Sequence, residues 1–414
     1  MKEILHIKNF GGLNDVTVEI SQKYTLILGQ QASGKSIIAK LLYFFKGITS
    51  FRYYPTSNLE DNIIEQVMSN RFYSLFPERF WPDGSFEITY SVDDKHFVVN
   101  RFADDISFIV PDSFKKILES FPGFYTAALD ALTQTSSDAQ NGMADFMAFI
   151  KARQQCMTNA KNAGYPVGEQ LFVVAARSFY SEMTDRLTAL IANNVTVEQL
   201  LLESYATITS AKKAAEMNII DSDNKVAQMI HNILKADYRK EKDKEYLLHE
   251  DGRKIELQYA SSGQQETFPL LMVLNYVMGI SRMSGDPICL YIEEPEAHIF
   301  PSAQKLMVEL ISYISNSTNN IQVILTTHSP YVMSSFNNLI EADNIIKVDS
   351  SKQSKVESIV GKNVAISYDD VRSYMLKNGS AFSIMDKGDR LIDALELDAV
   401  SNEINITFEK LLAL

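Results

Sequence analysis

A chain of 414 residues, 46% hydrophobic and 22% charged, is long enough for two or three folding units and has an ordinary globular composition. Its 39 basic against 52 acidic side chains give a formal charge of −13, which excludes a generally basic, nucleic-acid-coating surface while leaving room for a local basic groove. Cys156 and Cys289 lie far apart, without metal-ligand spacing, and such thin cysteine usage fits a reducing cytosol. The opening MKEILHIKNF lacks the apolar stretch of a signal peptide, and the longest apolar run, Phe268–Ile280, is interrupted by Asn275. A membrane-crossing helix needs roughly 20 apolar residues. The expectation is a cytoplasmic protein without a membrane partner.

The predicted elements begin with short strands at Ile4–Ile7, Val16–Ile20 and Tyr24–Leu28, the first two turned by Gly11-Gly12. Ile37, Ile38, Leu41, Leu42 and Phe45 then have helical spacing. An antiparallel pair follows at Phe86–Ser91 and His96–Val99, turned by Asp93-Asp94, and then a mostly helical stretch from Ser113 to Leu234, broken by a strand at Leu171–Ala175. Alternation returns at Tyr246–Leu248 and Lys254–Leu257. Next come a helix through Leu270, Val273, Leu274 and Val277, a strand at Ile288–Ile292, a helix at Gln304–Ile314 and a strand at Ile321–Leu325. A helix from Pro330, a strand at Asn344–Val348, and helices at Asp369–Leu376 and Ile404–Leu412 complete the series. Apolar strands alternating with helices imply a parallel sheet covered on both faces. The expected division is residues 1–110, 111–235 (mainly helical) and 236–414.

Four stretches carry chemistry. Gly29-Gln30-Gln31-Ala32-Ser33-Gly34-Lys35-Ser36 matches G-x-x-x-x-G-K-[ST] in full, between an apolar strand and an amphipathic helix. Its glycines let several backbone N–H groups converge on phosphates at a helix N-terminus, with Lys35 neutralising the β- and γ-phosphates and Ser36 on Mg²⁺. The strand Ile288–Ile292 ends in Glu293 and Glu294, one suited to the Mg²⁺ shell and the other to polarising an attacking water. The strand Ile321–Leu325 leads to Thr326-Thr327-His328, placing an imidazole where open α/β sheets collect ligands. Ser261-Ser262-Gly263-Gln264 opens a helix. Taken alone it is an ordinary cap, with Ser262 as the capping residue and Gln265 or Glu266 reaching back.

Their order is similar to the layout of ATP-binding cassette (ABC) ATPases: Walker A, signature, Walker B, switch histidine. The resemblance covers about residues 1–48 and 255–350. It implies an α/β ABC-type head with an antiparallel β subdomain and an inserted helical lobe. It also implies ATP and Mg²⁺ as ligands, and a homodimer in which Ser261 of one copy meets the γ-phosphate held by the other. Within the class, Ile7-Lys8-Asn9-Phe10 and Glu293-Glu294-Pro295-Glu296-Ala297-His298 resemble the SMC, RecF and OLD branch. Ser261–Glu266 and Ala175-Ala176-Arg177-Ser178 resemble AAA-family, OLD-like ATPase subunits of bacterial anti-phage systems. That likeness implies a regulatory ATPase with a separate effector, a nuclease or toxin, and without a TOPRIM domain. A DNA-clamping repair ATPase and an ATP-binding scaffold are the alternatives.

The same resemblance puts Glu296, Ala297 and His298 in a D-loop at the subunit interface and calls for a Q-loop glutamine, for which Gln134 and Gln140 are candidates. Two roles stay open for Arg177, approach to nucleotide and support of the helical lobe. The cluster Arg239, Lys240, Lys242 and Lys244 reads first as a solvated hairpin because acids interleave it.

Overall fold

The computed structural model describes all residues except 22, 52–62, 104, 136–140, 184–196, 218, 220–222, 243, 394–404 and 413–414. In chain order, β1 (Glu3–Phe10), β2 (Leu13–Ile20) and β3 (Tyr24–Gly29) lead to α1 (Lys35–Ile48) and α2 (Ile63–Leu75). Then come β4 (Phe86–Val92), β5 (Lys95–Phe102), β6 (Asp105–Ile109), α3 (Asp112–Glu119), α4 (Phe121–Thr135) and α5 (Asn141–Asn162). β7 (Glu169–Val173), α6 (Ser178–Met183), α7 (Gln199–Glu216) and α8 (Asn224–Leu234) precede the strands β8 (Asp237–Glu241), β9 (Lys244–Leu248) and β10 (Lys254–Glu256). After α9 (Ser262–Ser284) the chain alternates β11 (Ile288–Glu293), α10 (Pro301–Ser317), β12 (Ile321–Thr327), α11 (Pro330–Val348) and α12 (Gln353–Val360). It continues through β13 (Val371–Lys377) and β14 (Ser380–Ser383).

Two compact units share these elements. One holds Met1–Ile20, Ser36–Gln170 and Asn378–Ala381; the other holds Ser21–Lys35, Leu171–Lys377 and Phe382–Leu414. Helices α3–α5 therefore fall in the first unit and α6–α8 in the second.

In the first unit β6, β5, β4, β1 and β2 pair antiparallel in that order. β4 alternates buried and half-buried residues along its length, the period-2 pattern of a strand with one face on a core. Asp93 carries the β4–β5 turn at φ 51°, at the Asp-Asp pair the sequence marks. The core is largely aromatic. Phe72 packs against Phe10, Phe44, Phe76 and Trp81, and Phe114 packs against Phe51, Phe97 and Tyr165. Inside it Lys46 Nζ and the Tyr90 hydroxyl both donate to Glu3 Oε2 at 2.5 Å, an ion pair sealed from water.

In the second unit β13, β3, β12 and β11 run parallel side by side, with β7 next to β11. Every residue of β3 and of β11 is buried, as a parallel sheet covered on both faces requires. The mixed α/β class expected from the sequence is thus present. Two expectations are corrected. Asn344–Val348 is not a strand; it is the end of α11, where Lys347 pairs with Asp343 one turn back at 2.8 Å. The further parallel strand is instead β13, which pairs with β3 and is read from sequence as a helix over Asp369–Leu376. Its run Val-Arg-Ser-Tyr-Met-Leu-Lys is buried on both sides, so it lacks the alternation that betrays a half-buried strand. Residues 405–412 are helical. Among the described residues no helix is long and apolar enough to cross a membrane.

Candidate nucleotide site

In the second unit, pairing sets Glu293 opposite Thr326, Thr326 opposite Ile27, and Thr327 opposite Leu28. The carboxyl ends of three adjacent parallel strands thus present the Gly29–Lys35 loop, the Glu293-Glu294 pair and His328 along one edge. Open α/β sheets bind ligands at such an edge.

The loop after β3 is a tight wrap. Gly29, Ala32 and Gly34 have φ of 151°, 62° and 97°. A Cβ on Gly29 would lie 2.5 Å from Ser33 Oγ and 2.9 Å from the Leu376 carbonyl, so only glycine fits. Gln30, Gln31 and Ala32 are exposed, Ser33 and Gly34 half-buried. Lys35 opens α1 and is 5% exposed, its ammonium donating to the carbonyls of Gly29 and Gln30 at 2.8 Å each. Burial lowers its pKa from the ordinary lysine value, opposed by the negative charges of Glu294, Glu296 and Glu293. Ser36 follows as an exposed residue of α1.

Glu293 is buried, with Oε2 accepting the Ala175 N–H at 3.3 Å. Glu294 lies beyond the strand in the left-handed region, φ 43°, its N–H donating to the Thr326 carbonyl at 2.9 Å. A non-glycine residue held there costs roughly 1–2 kcal/mol, a strain typical of functional turns. His328 is about half exposed, and its Nδ1 lies 3.6 Å from Glu294 Oε1 and 3.4 Å from Glu296 Oε1. Glu296 turns inward within its own chain. It is 5% exposed, and its Oε1 accepts Thr327 Oγ1 at 2.7 Å and the His328 N–H at 2.8 Å. His298, by contrast, is exposed.

The helix α9 begins one residue earlier than its sequence suggests. Ser261, not Ser262, is the N-cap, and Gln264 rather than Gln265 or Glu266 closes the capping box. Ser261 and Ser262 are exposed, while Gln264 Nε2 donates to the Leu234 carbonyl at 3.0 Å. Gly263 lies so close to the loop after β11 that a Cβ there would be 2.6 Å from the His298 carbonyl oxygen.

Arg177 approaches the back of the site. Its buried guanidinium donates to the carbonyls of Val174 (3.2 Å), Glu266 (3.0 Å), Glu293 (2.6 Å) and Glu294 (3.0 Å). Burial lowers its pKa, while Glu266 and then the other three glutamates hold it up; a guanidinium stays charged regardless. Glu266, which sequence reading gives only a capping part, accepts the N–H groups of Arg177 and Ser178 at 2.9 and 2.7 Å. Thr327, by contrast, was unsignalled beyond its position at a strand end. Gln134 sits in the last turn of α4, and Gln140 lies outside the described residues.

The loop's geometry fits a phosphate chain: positive-φ positions, a lysine at a helix start, and no room for a side chain at Gly29. Among the described residues Ser33 Oγ, Thr326 Oγ1 and Glu296 Oε2 are buried without a hydrogen-bond partner. No group of three or more His, Cys, Asp or Glu side chains among those residues forms a metal cage. That donor set suits a divalent ion that keeps water and phosphate in its shell, with Glu293 as the second unit's candidate ligand.

Comparison with solved structures finds similarity to the SMC head bound to the C-winged helix domain of ScpA (12% identity, 92% of this chain and 97% of that one, TM-score 0.42). The SMC head domain from Thermotoga maritima (11%, 92% and 98%, TM-score 0.37) and the recombination mediator protein RecF (12%, 93% and 98%, TM-score 0.30) are also similar. A search of curated proteins gives no match. The family model described as "AAA ATPase domain" matches residues 1–121 and 177–333, more than half of the chain and every motif of the edge just described. The chain belongs to the AAA ATPase domain family.

Proposed function

We propose that the chain binds Mg-ATP and hydrolyses it in a head-to-tail dimer. The observation that carries this reading is the convergence of Lys35, Glu293, Glu294 and His328 at the carboxyl ends of three neighbouring parallel strands. In it the loop N–H groups and Lys35 bind the phosphates; Ser36 and Glu293 would be the residues to hold Mg²⁺, which would supply charge neutralisation. Glu294 takes a proton from the attacking water, and His328 orients it from beside that carboxylate. Ser261 and Gly263 at the exposed start of α9 complete the site of a second copy, so two composite sites form an isologous dimer. The test is phosphate release against protein concentration, with nucleotide binding measured in parallel. Wild type should turn over with a second-order dependence, and Glu294→Gln should bind ATP while losing turnover about a hundredfold or more. Equal turnover by the variant would remove Glu294 from the role; binding without turnover in wild type would favour a scaffold.

For the cellular role, the proposal is a regulatory ATPase of a bacterial anti-phage system governing a separate effector, by resemblance of the Ser261–Glu266 and Ala175–Ser178 runs. Against the DNA-clamp alternative, two basic residues of the β8–β9 hairpin face acids: Lys240 pairs with Glu216 and Lys244 with Glu256. Affinity for duplex DNA that falls steeply with salt would reverse the preference.

A further inference from the structure

We infer that Arg177 is a positioning residue that fixes the candidate base Glu294 and, through Glu266, ties that placement to the start of the signature helix α9. The inference rests on the hydrolytic reading above and deepens it. Glu294 occupies a left-handed backbone conformation that its side chain does not favour, so something outside it must hold the peptide. Its N–H is fixed by the Thr326 carbonyl at 2.9 Å, and its carbonyl accepts Ala297 N–H and Arg177 Nη2, each at 3.0 Å. Arg177 Nη1 grips the preceding carbonyl, Glu293, at 2.6 Å. The same guanidinium donates through Nε to the carbonyl of Glu266, and Glu266 returns its carboxylate to the N–H groups of Arg177 and Ser178.

Glu266 lies within the first turns of α9, a few residues from Ser261 and Gly263. A displacement of that helix end therefore moves the carboxylate that seats Arg177, and Arg177 moves the carbonyls on both sides of the Glu293–Glu294 peptide. Side-chain chemistry makes the role specific. A planar guanidinium spreads donors toward carbonyls in different directions, whereas a lysine offers one nitrogen and one site of approach. Arg177, 1% exposed, is shielded from solvent in this conformation, as a residue that holds backbone rather than ligand would be.

The experiment measures single-turnover hydrolysis and ATP binding in full-length wild type, Arg177→Lys, Glu266→Gln, Glu294→Gln and the Arg177→Lys/Glu294→Gln double variant. Thermal melts accompany each. Arg177→Lys should keep ATP affinity within about threefold while the hydrolysis rate falls about a hundredfold, the effect of misplacing a reacting group by around 1 Å. Glu266→Gln, which leaves one acceptor oxygen, should lower the rate by about tenfold. In the Glu294→Gln background, Arg177→Lys should cost less than about threefold further, because the group it positions is already gone. A folded Arg177→Lys variant with the wild-type rate overturns the proposal, as does full additivity with Glu294→Gln. If Arg177→Lys does not fold, Glu266→Gln decides: an unchanged rate refutes the coupling. Failure of the underlying reading looks different, since wild type itself then releases no phosphate.

Discussion

Replacing Gly263 by alanine sets two well-sized effects against each other. Gly263 lies in the first turn of α9 with ordinary helical backbone, so alanine alone should stabilise the helix by up to about 1 kcal/mol. The added Cβ, however, would sit 2.6 Å from the carbonyl oxygen of His298, which is backbone and cannot rotate away. Restoring ordinary contact requires the helix end and the 294–298 loop to separate by roughly 0.8 Å, and overpacking of this kind costs about 1–3 kcal/mol. The expected balance is destabilisation by about 0–2 kcal/mol in urea unfolding. The separated loop also carries Glu294, so hydrolysis should fall about ten- to a hundredfold at nearly unchanged ATP affinity. Gly123→Ala is the control. That glycine is helical in α4, a Cβ added to it would meet nothing within 4 Å, and the change should stabilise by about 0.5–1 kcal/mol. Should Gly263→Ala instead gain stability as Gly123→Ala does, with full activity, the close approach of α9 to the loop after β11 is wrong.

Two other outcomes follow from buried charge. Lys46→Met leaves Glu3 buried with Tyr90 as its remaining donor among the described residues and should destabilise by about 3–5 kcal/mol, whereas Lys46→Met combined with Glu3→Gln should recover most of that loss in denaturant titrations. Around the nucleotide loop, Glu266, Glu293, Glu294 and Glu296 face the two cations Lys35 and Arg177, so a bare triphosphate meets a net negative site. Chelating Mg²⁺ should weaken ATP binding by at least about tenfold in calorimetry; equal affinity without the ion would refute this charge balance.

The nucleotide loop was legible because its determinants are local: an apolar strand, glycines at fixed offsets, then a lysine at a helix start. β11 and β12 were legible for a related reason, being short, wholly apolar and ended by polar residues. β13 was not, because burial on both faces erases the period-2 signal, and its Met375 and Leu376 are as compatible with a helix as with a strand. The tail of α11 misled in the opposite sense. Ile345 and Ile346 are β-formers in isolation, yet a helix already propagating from its Ser329 cap and Pro330 carries them along. The pairing of Arg177 with Glu266 was not legible, because 89 positions separate the partners and two separate segments, each recognisable alone, carry no signal that they touch.

The division of labour between the site's two cations follows from their side chains. Lys35 is a single-point charge on a flexible stem, bonded to two carbonyls of its own loop. It can exchange those bonds for phosphate oxygens without disturbing any other element, which is what a ligand-binding cation needs. Arg177 makes four carbonyl contacts with three segments of chain, and giving up any of them would leave buried backbone unsatisfied. It is therefore suited to holding and unsuited to exchanging. A lysine in place of Arg177 cannot reach its several carbonyls at once, so the two residue types are not interchangeable here. On the proposed reading, the loop is suited to trading partners with a ligand, and the proposed base Glu294 to staying in place unless α9 moves.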